Sequence, residues 1–304
     1  MNDPIAITYS RYGGPDVLTV SDVAAPEPGP GQVRVRVRAA GINLIDLKLR
    51  RGELAKFFTA HFPVTPGFDV AGTVDALGEN VTGTEVGDDV LGVTDGSYAT
   101  YALLNAPVSK PASLPWEFAA SLPVVGEAAF RVLEHLAIRA GDTLLVHGAA
   151  GSVGSLATQL AISRGATVIG VAGEDDLAYV RSLGASAVVR GDGLAERVRA
   201  ISPRGADAAL DTVGHGLLPV SIELAGGPER VVTIADATAS QYGVRFTGSD
   251  PNDRFPAALP WLVSLAVADK LKLRVGTPYR LVEAAAAHTA IETGTYKGKG
   301  VLVA

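Results

Sequence analysis

A glycine-rich turn between an apolar run and a helix-like repeat is the segment that most constrains this fold. Residues 143–147 are mostly apolar, and the turn that follows reads Gly148-Ala149-Ala150-Gly151-Ser152-Val153-Gly154. Apolar residues then recur at helical spacing until Gly165, a residue type that often follows the end of a helix. The segment therefore predicts a strand, a tight turn and a helix.

Free backbone N–H groups at the start of a helix bind phosphate, and the helix dipole favours the negative charge. The turn is therefore predicted to hold the pyrophosphate of a dinucleotide, through Ala149, Gly151, Ser152, Val153 and Gly154. The spacing is Ala-x-Gly-x-x-Gly instead of Gly-x-Gly-x-x-Gly, so an ordinary strand-to-helix turn without a ligand stays an open alternative.

Strand-like and helix-like segments alternate after this turn. Strands are expected at 167–172, 187–189, 206–210 and 230–235, and helices at 177–183, 194–201 and 217–224. Such alternation requires crossover connections, which give a parallel sheet covered by helices. This part of the chain is therefore expected to be a doubly wound α/β domain.

The amino-terminal third of the chain has a different pattern. Valine and arginine alternate within residues 32–38, as in an antiparallel strand with one buried face. Further short strands are expected at 68–74, 89–93 and 97–103, because glycines and prolines punctuate these runs. A small β-rich domain is therefore expected before residue 118.

Composition narrows the function classes. The chain has 304 residues, 47% of them hydrophobic, which is enough for two cores, and its net charge of −6 argues against nucleic-acid binding. The absence of cysteine excludes disulfides and thiolate metal sites. The first residues, Met1-Asn2-Asp3-Pro4, lack signal-peptide features, and the longest apolar stretch is too short to span a bilayer. A cytoplasmic protein without a membrane partner is therefore expected.

Four motifs together resemble a known superfamily. They are the Ala40-Gly41-Ile42-Asn43 run followed by Asp46, Lys48, Arg50 and Gly52; Pro66-Gly67-Phe68-Asp69; Asp211-Thr212-Val213-Gly214; and Gly298-Lys299-Gly300-Val301-Leu302. In this combination the chain resembles the medium-chain dehydrogenase/reductase superfamily, in its zinc-independent quinone oxidoreductase and alkenal/enone reductase branch. The resemblance implies a GroES-like catalytic domain at 1–117 and 247–304, and a Rossmann NAD(P)-binding domain at 118–246.

The resemblance also implies that no metal is bound. Where the alcohol dehydrogenase branch carries the Cys, His and Glu of its zinc site, this chain has Asn43, Phe68 and Asp69. An amide and a phenyl ring do not replace thiolate and imidazole as ligands. The five histidines, at positions 61, 135, 147, 215 and 288, have no metal-ligand spacing to one another.

Without a metal, hydride transfer to an electron-poor carbon is easier than alcohol oxidation, since only a hydrogen-bond donor is needed at the developing oxyanion. The expected enzyme is thus an NAD(P)H-dependent reductase of quinones or of activated C=C bonds, with a small, apolar, electrophilic substrate. An enoyl reductase that tailors a polyketide-like intermediate and a non-catalytic NADPH-binding protein stay open as alternatives.

Three residues are the catalytic candidates. The resemblance implies that Asn43 orients the nicotinamide ribose or a substrate oxygen, although an amide bonded to its own backbone is the alternative. Asp46 and Lys48 are expected on a short helix. Lys48 stands where many quinone reductases carry tyrosine, and a lysine there is similar to the alkenal/enone reductases. It either stabilises a developing enolate or supplies a proton, and a merely solvated lysine is the alternative.

Two further clusters have open interpretations. The aromatic group Phe57, Phe58, His61 and Phe62 either lines an apolar pocket or belongs to ordinary core. Glu127 lies in Gly126-Glu127-Ala128-Ala129, where the family often has Gly-Leu-Thr-Ala. It is expected to pair with Arg131 one helical turn later, and shaping the substrate pocket is the alternative.

Cofactor choice depends on the end of the second Rossmann strand. Gly173 leaves space for a 2′-phosphate and Arg190 offers a cation, whereas the acidic run Glu174-Asp175-Asp176 opposes it. NADPH is favoured over NADH on this balance. Val213, Ile234 and Ala235 are expected to complete the cofactor contacts. A homodimer is also expected, through an edge strand around residues 244–246.

Overall fold

The structure is a computed structural model that describes residues 3–248 and 250–304. The chain divides into two compact units. Unit 1 comprises Met1–Val124 and Leu259–Ala304, and unit 2 comprises Val125–Ala258. Of the segment Met1-Asn2-Asp3-Pro4, on which the signal-peptide expectation rests, Met1 and Asn2 lie outside the described residues.

The strands in chain order are β1 (Ile5–Thr8), β2 (Thr19–Asp22), β3 (Val33–Ile42), β4 (Asp69–Leu77), β5 (Asp89–Val93), β6 (Tyr101–Leu104), β7 (Val108–Ser109), β8 (Thr143–His147), β9 (Thr167–Ala172), β10 (Ser186–Val189), β11 (Ala208–Asp211), β12 (Val231–Thr233), β13 (Arg245–Phe246), β14 (Tyr279–Arg280) and β15 (Gly300–Val303).

The α-helices in chain order are α1 (Leu44–Arg51), α2 (Trp116–Ala119), α3 (Pro123–His135), α4 (Ser152–Ser163), α5 (Leu177–Ser182), α6 (Leu194–Ile201), α7 (Leu218–Ala225), α8 (Ala258–Val267) and α9 (Ala284–Glu292). Short 3₁₀ turns lie at Pro15–Val17, Glu174–Asp176, Pro228–Arg230, Ala239–Tyr242, Pro251–Asp253 and Leu281–Glu283. In the part of the chain that the structure describes, no helix has the length and apolar character that crossing a bilayer requires.

Unit 1 is built on a sheet with the strand order β14-β15-β3-β4-β5-β7, and β6 also pairs with β3. The valine–arginine alternation of β3 behaves as expected, because Val33, Val35 and Val37 are buried while Arg36 and Arg38 are exposed. Antiparallel pairing of β3 with both β4 and β15 brings the ends of three strands together. Those strand ends position the polar cluster described below.

Unit 2 contains a parallel sheet with the order β10-β9-β8-β11-β12-β13. Relabelled within the unit, this is the 3-2-1-4-5-6 order of a doubly wound dinucleotide-binding fold, as expected. The central strands are buried, since Leu144, Leu145 and Val146 of β8 are 0% exposed. The carboxyl ends of β8, β9, β11 and β12 lie along one edge, where such folds bind ligands.

Two expectations for unit 1 are wrong. The strand expected at 97–103 begins only at Tyr101, because Ser97 and Tyr98 donate their backbone N–H groups to Gly67 and Pro66. The core interpretation of the aromatic group also fails, since Phe57, Phe58 and Phe62 have 76%, 41% and 42% of their surface exposed. Their role as a pocket wall stays a prediction.

Candidate functional site

The glycine-rich turn of unit 2 is held against the sheet by its own backbone. Gly148 has a φ of 74°, and the N–H groups of Gly148 and Ala149 both donate to the carbonyl of Val171, each at 3.1 Å. Helix α4 begins at Ser152 with Gly151 as its N-cap, and no side chain caps it. The first N–H groups of a helix have no intrahelical acceptor, so this end can receive an anion.

The glycines of this region have different reasons to be glycine. A Cβ on Gly154 would lie 2.2 Å from the carbonyl oxygen of Gly148, so the close packing of turn and helix excludes any side chain there. A Cβ on Gly151 would meet only that oxygen, at 3.2 Å, and one on Gly173 would meet nothing within 4 Å. Neither of these two residues has a positive φ. The missing side chain of Gly173 leaves open space, and a Cβ on Gly151 would press only on this one backbone oxygen. Both positions fit a bound dinucleotide.

Asp211 fixes the loops that follow β11 and β12. Its buried carboxylate accepts the N–H groups of Val213 and Gly214 through Oδ1, both at 2.9 Å, and the hydroxyl of Thr233 through Oδ2 at 2.8 Å. The Thr233 hydroxyl in turn accepts the N–H of Ala235 at 3.1 Å. Val213, Ile234 and Ala235 thus follow adjacent strand ends, and their contact with a cofactor stays a prediction.

Arg190 follows β10 beside the end of β9. Its N–H donates to the carbonyl of Ala172 at 2.9 Å, and its exposed side chain has no hydrogen bond or ion pair within residues 3–248 and 250–304. The acidic run forms a 3₁₀ turn directly after Gly173, with Glu174 and Asp175 exposed to solvent. Attractive and repulsive groups for a phosphate are therefore both present near this strand end.

Unit 1 contains a buried cluster of Asn43, Asp69 and Lys299. The Lys299 ammonium donates to Asn43 Oδ1 at 2.5 Å and to Asp69 Oδ2 at 3.0 Å, and Asn43 Nδ2 donates to the same Asp69 oxygen at 2.9 Å. The other Asp69 oxygen accepts the N–H of Val124 at 2.7 Å. Asn43 is also the N-cap residue of α1, in a capping box with Asp46, so its contact with a cofactor or substrate stays a prediction beside the backbone-bonded alternative.

This cluster comes from three strand ends. Asn43 follows β3, Asp69 begins β4, and Lys299 precedes β15, and the ladders pair Gly41 with Asp69 and Ile42 with Gly300. Asn43 and Asp69 stand at positions where the alcohol dehydrogenase branch has zinc ligands, and here they hold an ammonium group. The described residues include no group of three or more His, Asp or Glu side chains that could bind a metal ion.

Sequence reasoning missed Lys299. The available signal is its place in the Gly298-Lys299-Gly300-Val301-Leu302 motif, immediately before an apolar strand. Its partner Asp69 lies 230 positions away in sequence. Only the fold brings the two charges together.

Asp46 and Lys48 lie on α1, as expected, but in different surroundings. Asp46 is buried, and its Oδ2 accepts the backbone N–H of Asn43 at 2.8 Å and the hydroxyl of Tyr98 at 3.1 Å. Burial raises the pKa of Asp46 to about 7. Lys48 is half-buried, and its side chain has no partner among the residues that the structure describes. Lys48 therefore keeps an uncommitted ammonium group.

Glu127 pairs with Arg131 at 2.9 Å, as expected, and both side chains are buried. The same carboxylate accepts the backbone N–H of Phe255 at 3.0 Å. These contacts lie within unit 2 and fasten the 254–255 segment to α3.

Comparison with known proteins finds two family models in this chain. Residues 29–113 match the alcohol dehydrogenase GroES-like domain, and residues 152–253 match the zinc-binding dehydrogenase model. A quinone oxidoreductase from Lama guanicoe is 35% identical over 252 residues, covering 80% of this chain and 76% of that protein. An NADPH-dependent alkenal/one oxidoreductase from Arabidopsis thaliana is 32% identical over 312 residues, covering 98% and 78%.

A solved structure is similar to this chain in its fold over almost the whole length. A mycobacterial protein in complex with NADPH has a TM-score of 0.87 and 27% sequence identity, and the match covers 99% of this chain and 100% of that one.

Proposed function

The chain belongs to the medium-chain dehydrogenase/reductase superfamily, and from this premise we propose that it is a zinc-independent, NADPH-dependent reductase of quinones or of enone and enal C=C bonds. The observation that carries the proposal is the buried contact of Lys299 with Asn43 and Asp69, at 2.5 and 3.0 Å. It places an internal ammonium between two positions that hold a metal in alcohol dehydrogenases.

A dinucleotide fits unit 2 on the structural grounds given above. The N–H groups at the start of α4 would hold the pyrophosphate, with Gly151 leaving the space it needs. When bound, the reduced nicotinamide supplies the hydride. The side chains then have to orient the reactants and handle one proton.

Lys48 and Asn43 are the residues proposed for that work. Hydride addition to a conjugated carbon leaves negative charge on oxygen, and a cationic donor lowers its energy most where water is excluded. Lys48 has a free ammonium group for this task and for supplying the proton. The Asn43 amide is held by Asp69 and Lys299, so its orientation is set before any substrate arrives.

NADPH is proposed over NADH. Gly173 leaves room for a 2′-phosphate and Arg190 has an unpaired guanidinium close to the same strand end. The name of the Arabidopsis relative and the NADPH complex of the mycobacterial protein support the same choice.

We also propose a homodimer formed through β13. This strand is at the edge of the unit 2 sheet, and Phe246 has 42% of its surface exposed. Two copies related by a two-fold axis would join their sheets and cover this edge. Light scattering coupled to gel filtration tests the mass directly, and a monomer at micromolar concentration would contradict this part of the proposal.

The experiment for the proposed function is a titration followed by a turnover screen. NADPH and NADH are titrated by fluorescence, and oxidation of the tighter-binding cofactor is then followed with quinones, small enones and larger enoyl thioesters. Turnover with quinones or small enones is expected, with NADPH bound more tightly. Turnover with enoyl thioesters alone would indicate the tailoring enoyl reductase, and binding without any turnover would indicate the non-catalytic alternative.

A further inference from the structure

Behind Asp46 lies a line of buried polar side chains that the proposed mechanism does not use. Tyr98 contacts Asp46, His288 contacts Tyr98 with 3.2 Å between Nε2 and the hydroxyl oxygen, and Arg50 lies 3.5 Å from His288 Nδ1. Arg50, Tyr98 and His288 are 0% exposed. Arg50 is paired with Glu292, which is partly exposed, so the line runs from the protein surface to Asp46.

The direction of each hydrogen bond follows from donor chemistry. Arginine only donates, so the nearest His288 nitrogen, Nδ1, is the acceptor and the ring proton is on Nε2. Nε2 then donates a hydrogen bond to the Tyr98 oxygen, and the Tyr98 hydroxyl donates one to Asp46 Oδ2. Burial and the nearby Arg50 lower the pKa of His288 to about 3, which keeps the ring neutral. The chain therefore donates in one direction, toward Asp46.

Asp46 passes this constraint to the catalytic candidate. Its Oδ2 also accepts the N–H of Asn43, while Oδ1 has no partner among the described residues. A cavity of about 140 Å³ borders Asp46. An ionised carboxylate holds both donors with charge-assisted bonds, whereas a neutral carboxyl holds them less firmly.

We propose that Tyr98 and His288 are positioning residues, which favour the ionised form of Asp46 and hold it in place so that Asp46 fixes Asn43 in the Asn43–Asp69–Lys299 cluster. The inference rests on the proposed reductase function, because it concerns the same site. Activity then requires ionised Asp46. The acid limb of the pH profile of activity therefore reports the protonation of this one carboxyl.

The other charges around Asp46 come from several elements and act on its pKa in both directions. Burial raises that pKa and the nearby Asp69 raises it further, whereas the Asn43 N–H, the Lys299 ammonium and the Tyr98 hydroxyl lower it. Further titratable or charged groups around Asp46 are Tyr9, Lys48, Arg50, Asp95 and His288, and Glu292 is paired with Arg50. Of the groups that lower this pKa, the Tyr98 hydroxyl can be removed with the smallest change of shape.

The test compares Tyr98→Phe with Tyr9→Phe. Tyr98→Phe keeps the ring but removes the donor to Asp46, so the acid limb of kcat is expected to move up by about one pH unit. Tyr9→Phe removes a neighbouring hydroxyl that makes no bond to Asp46, so its midpoint is expected to equal that of the wild type. An unmoved midpoint in folded Tyr98→Phe, or the same shift in both variants, would overturn the inference.

His288 provides a second pair of variants. His288→Gln keeps an N–H near the position of Nε2, so the midpoint of the acid limb of kcat is expected to stay that of the wild type. His288→Leu removes the donor and is expected to raise this midpoint as Tyr98→Phe does. Equal midpoints in His288→Gln and His288→Leu would contradict the proposed line of hydrogen bonds.

A readout without turnover separates this inference from the proposed function. The pH dependence of the melting temperature follows the proton on Asp46 whether or not any acceptor is reduced. If no acceptor is reduced, the proposed function fails, and this readout alone decides the chain. A shift of this melting profile to higher pH in Tyr98→Phe supports the positioning role of Tyr98 and His288, and an unchanged profile overturns it.

Discussion

The turn of unit 2 and the Asn43–Asp69–Lys299 cluster of unit 1 are built by opposite means. The turn offers backbone N–H groups and empty space, and its side chains are small or absent. The cluster offers side chains that are fully buried and bonded to one another, with a formal charge on both Lys299 and Asp69. A backbone site tolerates changes that leave the space open, whereas a buried ion pair tolerates the loss of neither partner alone.

The largest effect is expected when the two glycines of the turn are compared. Gly154→Val places carbon atoms against the Gly148 carbonyl, so the variant is expected to misfold or to lose about 4 kcal/mol or more of unfolding free energy. Gly151→Val needs only a small shift of the Gly148 carbonyl, so it is expected to fold and to bind NADPH at least about 100-fold more weakly, about 2.7 kcal/mol. Thermal melts and fluorescence titration measure the two effects. Tight NADPH binding by Gly151→Val would contradict the assigned role of the turn.

Breaking the ion pair of unit 1 is the next largest change. Lys299→Met leaves Asp69 charged, buried and unpaired, and is expected to cost about 3–5 kcal/mol of stability. Lys299→Met combined with Asp69→Asn removes both charges and is expected to recover most of that stability. NADPH binding is expected to persist in the double variant, while turnover is lost. Full turnover by the double variant would show that the cluster has only a structural role.

These two regions also differ in how far the sequence predicts them. The bounds of β5, β9 and α6 match expectation, because hydrophobic period and turn residues are local signals. The expected strand at 230–235 ends at Thr233, since that hydroxyl captures the N–H groups of Ala235 and Asp236. The turn itself is a contiguous motif and was recognised from its residues.

The cluster of unit 1 was only partly predicted, because its contacts are distant in sequence. The resemblance names Asn43 and Asp69, but Lys299 lies 256 positions from Asn43. Outside the cluster, His288 likewise lies 190 positions from its partner Tyr98. No local period encodes such pairs. The exposed Phe57 illustrates the opposite failure, in which an apolar run was given a core alternative that the fold does not provide.

A pH experiment sharpens the contrast between backbone and side-chain sites. Because native Asp46 keeps its proton up to about pH 7, the folded state binds more protons than the unfolded state between about pH 4 and about pH 7. Stability from this group is present at low pH and is lost as pH rises through about 7. The loss is expected to be about 2–4 kcal/mol.

The matched variant is Asp46→Asn, which cannot titrate. Its unfolding free energy is measured in denaturant from pH 4 to 8. Between these pH values it is expected to fall less than that of the wild type, by this amount. A wild-type profile identical to that of Asp46→Asn would contradict the raised pKa.

The smallest effect is expected at the exposed cation near the cofactor turn. Arg190→Ala is expected to weaken NADPH binding about 10-fold, or about 1.4 kcal/mol, and to leave NADH binding unchanged. Arg181→Ala removes another exposed arginine, on α5, and serves as the control. Equal weakening of both cofactors by Arg190→Ala would mean that Arg190 does not contact the 2′-phosphate.

A reduced dinucleotide bound at the glycine turn is expected to reduce an electron-poor acceptor without a metal ion, with Lys48 as the cationic donor. The most direct measurement is the rate of NADPH oxidation with an enone or quinone acceptor before and after exhaustive treatment with a strong zinc chelator. The rate is expected to be unchanged after chelation, and the purified protein is expected to hold no stoichiometric metal. A rate that falls on chelation and returns when zinc is added would contradict it.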